Sequence, residues 1–194
     1  MRCEWLRDVR RYVDLRWMVI AALFACGSPA ATAIEMRTVT DAPYTQPADD
    51  ACKLDVYSPA GNAASKTAGQ KPLPIFIWVH GGGWARGDKG ILQSKPQALV
   101  DRGFVFVSVN YPLVPKATVG QQMESLAQSV AFIRAHAAEY HADPDRIFVA
   151  GHSAGGYLVA LLCTDLHYLK DAGVPVAAIR GCIPVDSGAF DVEG

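Results

Sequence analysis

The chain has 194 residues, 51% hydrophobic and 19% charged, the composition of a globular domain and not of a disordered or collagenous chain. Lys+Arg 18 against Asp+Glu 19 leaves a formal charge of -1, so no basic excess is present to neutralise phosphates and no nucleic-acid partner is expected. Five cysteines are too few for a disulfide scaffold. With no Cys-x-x-Cys pair and no His/Asp/Glu cluster at ligand spacing, no metal site is expected either.

Residues 1–33 read as a signal peptide. Arg2, Arg7, Arg10, Arg11 and Arg16 supply the positive region, Trp17 to Cys26 (WMVIAALFAC) an uncharged run, and Ala31-Thr32-Ala33 a small-x-small cleavage site. A second reading takes Leu23-Phe24-Ala25-Cys26 as a lipoprotein box with Cys26 acylated, although Phe24 is bulky for that box. A spanning anchor fits less well: the stretch after Cys26 is weakly apolar and broken by Pro29, where about 20 strongly apolar residues are needed. The expectation is export to the periplasm or the extracellular space, with membrane contact only through the signal or a lipid on Cys26. In that oxidising setting Cys52, Cys163 and Cys182 remain, an odd number whose pairing the spacing leaves open.

Past the signal, Met36–Pro47 is polar and turn-rich. Lys53–Tyr57 (KLDVY) alternates and predicts an antiparallel strand at a sheet edge. Ala60–Pro72 reads as a solvated loop. Ile75–Val79 (IFIWV), Phe104–Val109, Ile147–Ala150 and Ala178–Val185 are continuous apolar runs, as expected of strands buried on both faces. Helices are expected around Leu92–Arg102, from a capping box at Thr118-x-x-Gln121, and over Ala154–Asp165. The second of these places Met123, Leu126, Val130, Ile133 and Ala137 on one face. Asp143-Pro144-Asp145 reads as a turn. The alternation of strands and helices predicts an α/β fold: a mostly parallel, doubly wound sheet with helices on both faces.

Gly151-His152-Ser153-Ala154-Gly155 lies between a predicted strand and a predicted helix, the context of a nucleophile elbow. A tight turn there lifts the Ser153 hydroxyl above the sheet, and only Gly151 and Gly155 leave room for it. His80-Gly81-Gly82-Gly83-Trp84 follows another strand. Three consecutive glycines suit a backbone that presents N–H groups, so Gly82, Gly83 and Ala154 are the candidate oxyanion donors. No Gly-Lys-Ser/Thr follows the glycines, which removes a Walker loop. His80 and Gly81 are expected to brace the oxyanion loop, and His152 to pack behind the elbow. Trp84 fits an acyl pocket or the core equally. Asp88 and Lys89 are expected to pair. His136 and His141 are expected to be solvated, and Asp165 and Asp171 to be surface charges.

These motifs resemble the α/β-hydrolase superfamily, in its HGGG-bearing branch of carboxylesterases and lipases related to hormone-sensitive lipase. His80–Trp84 followed by Gly87-Asp88-Lys89 is especially similar to small bacterial esterases bordering on arylformamidases, and Asn110–Leu113, Asp143–Ile147 and Ser187–Asp191 match further segments. The resemblance runs from about Leu54 to Asp191. It implies a cofactor-free serine esterase acting on a small-molecule ester, with Ser153 as nucleophile; it implies nothing about oligomeric state. The family's triad runs Ser, Asp or Glu, His, and here His167 is the sole histidine after Ser153, too near along the chain to serve. Asp186 and Asp191 follow the fourth apolar strand, too early for the triad acid. The expectation is therefore that 34–194 forms the N-terminal two-thirds of a hydrolase domain, inactive and poorly soluble alone. Arylformamidase or exopeptidase activity would use the same machinery. A non-catalytic binding protein and an inactive truncated hydrolase are the remaining alternatives.

Overall fold

The computed structural model describes residues 33–60 and 71–188. The signal segment with Cys26, the middle of the Ala60–Pro72 loop and Asp191 lie outside the described residues. Everything below concerns the unit Ile34–Gly194.

Six strands form one sheet: β1 (Met36–Pro43), β2 (Lys53–Pro59), β3 (Leu73–Val79), β4 (Val105–Val109), β5 (Ala142–His152) and β6 (Ile179–Val185). Their spatial order is β1-β2-β4-β3-β5-β6. The last four in that order are mutually parallel, while β2 runs antiparallel to both β1 and β4. Four helices are α1 (Lys95–Val100), α2 (Val119–Ala135), α3 (Ala154–Thr164) and α4 (His167–Asp171).

Three of the four apolar runs become the inner strands β4, β3 and β5, and all five residues of β4 are buried. In β3, Ile75, Ile77 and Val79 are fully buried, and they share the core with Met123, Leu126, Val130 and Ile133 of α2 and Leu158, Val159 and Leu162 of α3. The alternate β3 residues Phe76 and Trp78 belong to the opposite face. There Phe76, Phe104 and Phe148 form an edge-to-face row with centroids 6.0 Å apart at each step. The capping box on α2 is complete: Thr118 Oγ1 accepts from the Gln121 N–H and the Gln121 side chain accepts from the Thr118 N–H. Such a cap is worth about 1 kcal/mol.

The chain passes from β3 outward to β4, then back across β3 to β5. Right-handed crossovers therefore put α1 on one face and α2 and α3 on the other. The connections leaving β3 and β5 diverge, which opens a crevice at the carboxyl ends of these two neighbouring strands. His80–Trp84 follows one of them and Ser153 the other.

Four expectations are corrected. The run Ala178–Val185 is not buried on both faces: β6 ends the sheet among the described residues, and its Ile183 and Val185 are exposed. Met36–Pro43 is not a turn region but the edge strand β1, so Lys53–Tyr57 lies one place inside the edge. Asp143-Pro144-Asp145 does not stand apart as a turn: it belongs to β5, with the Asp145 N–H donating to Asp143 Oδ1 and the β3–β5 register shifting between Leu73 and Ile75 to accommodate the extra residues. His141 is half-buried in a left-handed conformation (φ 53°), with its backbone carbonyl accepting from Leu73.

The cysteines resolve as a Cys163–Cys182 disulfide and a buried free Cys52. The bond ties α3, the helix behind Ser153, to β6. It closes a loop of 19 residues, and a loop of that size is worth about 3 kcal/mol through the unfolded chain. Cys182→Ser is expected to lower unfolding free energy by about 2–4 kcal/mol in urea titration under non-reducing conditions. Reductant should lower the wild-type midpoint to meet that of the variant and leave the variant unmoved.

Candidate active site

Ser153 sits between β5 and α3 with φ 54° and ψ -120°, a backbone conformation forbidden to most non-glycine residues. Such strain costs about 1–3 kcal/mol and persists only where its surroundings hold it. The holding contacts are visible. The Ser153 N–H donates to the Val185 carbonyl at 2.9 Å, which continues the β5–β6 ladder into the bend. A Cβ on Gly151 would strike the Gly155 carbonyl, and one on Gly155 would strike the carbonyls of Val79 and His80. Gly155 thus lets α3 begin directly against the end of β3. This close approach brings the two motifs together.

The glycine segment stands beside the elbow. A Cβ on Gly81 would lie 2.6 Å from the His152 carbonyl oxygen and 3.2 Å from the Ser153 Cβ. Gly82 has φ 125° and Gly83 φ 60°, so the chain turns sharply after Gly81. The Gly82 carbonyl accepts from the N–H groups of Ala85 and Arg86. The N–H groups of Gly82, Gly83 and Ala154 have no backbone acceptor among the described residues, and the last is the first amide of α3. Ala154 follows Ser153 directly, and Gly82 and Gly83 follow Gly81, the glycine that stands against Ser153.

His80 braces this turn as expected. It is buried, its ring stacks on Tyr111 with centroids 4.4 Å apart, and its Nδ1 lies 2.8 Å from the Gly81 carbonyl oxygen. A carbonyl only accepts, so Nδ1 carries the proton. Burial lowers the His80 pKa, with the Gly81 bond opposing, and keeps the ring neutral. The Tyr111 hydroxyl donates to the His80 carbonyl at 2.9 Å. The Trp84 carbonyl accepts from Gln122 Nε2 and from the Val114 N–H, both at 3.0 Å. The Trp84 ring packs on the core with Tyr157 edge-on, which settles it as core packing.

Asp88 and Lys89 do not pair with each other. Asp88 takes Asn110 Nδ2 at 3.0 Å and the Gly90 N–H at 2.7 Å, and the Asn110 bond chiefly holds its carboxyl below the usual range. Lys89 is buried, with Nζ 2.7 Å from Asp55 on β2 and 3.0 Å from Asp41 on β1. Burial works against its charge, but the hydrogen bonds to Asp55 and Asp41 outweigh it and hold the ammonium above its ordinary pKa. The Asn110 side chain also accepts from the Lys89 N–H, and the Lys89 carbonyl accepts from Ser108. A buried ion pair therefore straps the segment following the glycines to the far strands.

The other histidines are elsewhere. His167 pairs with Asp165 at 2.5 Å, with both side chains about half exposed. His136 lies on Phe132, with Nδ1 2.8 Å from that residue's carbonyl, and so is half-buried rather than solvated. Asp171 is exposed as expected. His152 is not packed behind the elbow. Its side chain is exposed, with Nε2 3.5 Å from Asp186 Oδ2, and it faces a cleft of about 590 Å³. That cleft is bounded by Trp78, Gly81, Gly82, Ile91, His152 and Val185, among others. Ser153 stands next to this wall, between His152 and Gly81. No side-chain hydrogen bond to Ser153 Oγ is found among the described residues. The sequence motifs did not mark Trp78, Gln122, Asn110 or Asp55 as parts of this region. Only their side-chain type, apolar or polar in otherwise apolar strands and helix faces, could have signalled them.

A strained serine between a parallel strand and a helix, beside a glycine turn on the neighbouring strand, defines the α/β-hydrolase fold in its carboxylesterase branch. Residues 54–171 match the BD-FAE family model, and the chain belongs to that family. It is 34% identical over 122 residues to a probable isoprenylcysteine alpha-carbonyl methylesterase of Oryza sativa subsp. japonica, covering 62% of this chain and 27% of that protein. It is 29% identical over 160 residues to kynurenine formamidase of Danio rerio, covering 81% and 48%. Among solved structures, esterase B from Lactobacillus Rhamnosis superposes with a TM-score of 0.61 at 23% identity, covering 88% of this chain and 52% of that one. The chain thus spans about a quarter of the length of the rice relative and about half of the other two.

Lys89→Met is expected to lose about 3–5 kcal/mol of stability, because it leaves Asp55 buried and unpaired. The raised Lys89 pKa sets the sign with pH. The strap's contribution is complete below about pH 10, the ordinary lysine value, and fades as pH rises through the higher folded value. Denaturant titrations between pH 8 and pH 11 should therefore show the gap between wild type and variant constant at first and narrowing only at the alkaline end.

Proposed function

We propose that this protein is a serine hydrolase of carboxylic esters that works through an acyl-enzyme on Ser153. The observation that supports it most directly is the strained Ser153 beside Gly81, with the free amides of Gly82, Gly83 and Ala154 around it. The Ser153 oxygen adds to the ester carbonyl and loses its proton to a base. The carbonyl oxygen becomes an oxyanion within reach of the three N–H groups and the positive end of α3. The tetrahedral adduct collapses, the alcohol leaves with a proton, and water then attacks the acyl-enzyme to release the acid. The relatives' names support this class: one is a methylesterase and one a formamidase, and both reactions attack a carbonyl carbon.

No described side chain hydrogen-bonds Ser153 Oγ: His80 is bonded to the Gly81 carbonyl, His167 to Asp165, and the exposed His152 faces Asp186, so we place the base and acid of the triad outside the described residues. The Cys163–Cys182 bond supports the reading of an exported protein, with residues 1–33 as its signal.

With a 4-nitrophenyl ester the leaving group departs without protonation, so acylation needs only that Ser153 pass its proton to the base. Mixing the protein with 4-nitrophenyl butyrate is expected to release a burst of about one equivalent of nitrophenolate as Ser153 is acylated, followed by a slower steady rate set by hydrolysis of the acyl-enzyme. Mass spectrometry should find the butyryl group on Ser153, and Ser153→Ala should abolish the burst. Acylation at another residue, or a burst that survives in the variant, would contradict the assignment.

A further inference from the structure

We infer that the cleft beside Ser153 takes an ester bearing a carboxylate, with Arg86 as the group that recognises it. This rests on the esterase reading above and deepens it. The cleft is large enough, at about 590 Å³, for a small aromatic or aliphatic ester. Its apolar walls are Trp78, Ile91 and Val185. Ile91 and Val185 are exposed at 61% and 40% and present apolar surface to the cleft. Two cations, Arg86 and Lys95, also line it, and no carboxylate does.

The cations are not neutralised by the protein. Arg86 forms no ion pair and no side-chain hydrogen bond among the described residues. Lys95 Nζ lies 4.8 Å from the Trp78 ring centroid and bonds the Gln93 side-chain oxygen at 2.9 Å and the Leu92 carbonyl at 3.4 Å, all neutral partners. Two acids on adjoining segments have other partners. Asp88 is held by Asn110 and Gly90, and Asp186 faces His152. Arg86 is also fixed close to the oxyanion turn: its N–H donates to the Gly82 carbonyl, and its Cγ lies 3.2 Å from where a Gly82 Cβ would be. An unpaired guanidinium so placed offers a planar two-donor fork to an anionic group a few bonds from the scissile carbonyl. The apolar walls accept the atoms between. A neutral ester would leave both charges without an anionic partner.

Binding and acylation test this separately. By calorimetry at low salt, 4-phenylbutyrate is expected to bind at least about fivefold more tightly than the isosteric neutral 4-phenylbutanamide. Arg86→Gln should bring the two together, and Arg86→Lys should restore part of the preference. In acylation, the burst rate constant for 4-nitrophenyl hemisuccinate should exceed that for 4-nitrophenyl butyrate by a similar factor in wild type, with the ratio falling toward one in Arg86→Gln. Equal binding of acid and amide by wild type, or a preference that Arg86→Gln leaves intact, overturns the assignment. A binding preference that persists where neither ester acylates Ser153 upholds the carboxylate site and counts against the esterase reading instead.

Discussion

The structure depends on how closely the start of α3 can approach the end of β3. Gly155 has no side chain to hold the two apart, and a Cβ there would strike the carbonyls of Val79 and His80. Because α3 starts in that place, Ser153 must turn through φ 54°, and its hydroxyl is presented where β3 ends. The same approach puts Gly81 against Ser153. One steric allowance therefore sets both the strain at Ser153 and its contact with Gly81.

Strain of this kind needs support on every side. The β5–β6 ladder continues through the Ser153 amide, and the disulfide between α3 and β6 ties the helix behind it to the same strand. The glycine turn is held by the neutral, buried His80 with its stacked Tyr111 partner. Farther out, Lys89 reaches across to Asp55 and Asp41. The glycine turn and the strained serine are consequently held from both sides. On the proposed reading, such preorganisation is what would make the amides effective against developing charge.

Much of this was legible in the sequence, for reasons that can be named. β3, β4 and β5 are apolar runs because they lie inside the sheet, whereas β6 carries an apolar run although it ends the described sheet with Ile183 and Val185 exposed. The elbow shows itself because close backbone approach at Gly151 and Gly155 admits no other residue, and the triple glycine because Gly81 is hemmed in while Gly82 and Gly83 take positive φ. β1 escaped notice because it is an edge strand whose half-buried residues, Met36, Val39 and Ala42, recur every third position across a register shift, so no alternation marks it. The Lys89–Asp55 pair was invisible because its partners meet only through the fold, while Asp88 offered a nearer and mistaken partner. His152 was misplaced because the direction of its side chain follows from the strain at Ser153, which sequence spacing does not express. Arg86 and Lys95 became interesting only when the fold set them on one wall without an acid.

The most direct test of the central claim is a crystal structure of the chain after reaction with an alkyl phosphonate ester. The account predicts a phosphorus bonded to Ser153 Oγ, with one phosphonyl oxygen about 2.7–3.1 Å from the amide nitrogens of Gly82, Gly83 and Ala154. An adduct whose oxygen points away from those amides, or a Ser153 that relaxes to an ordinary backbone conformation with the glycine turn displaced from it, would contradict it.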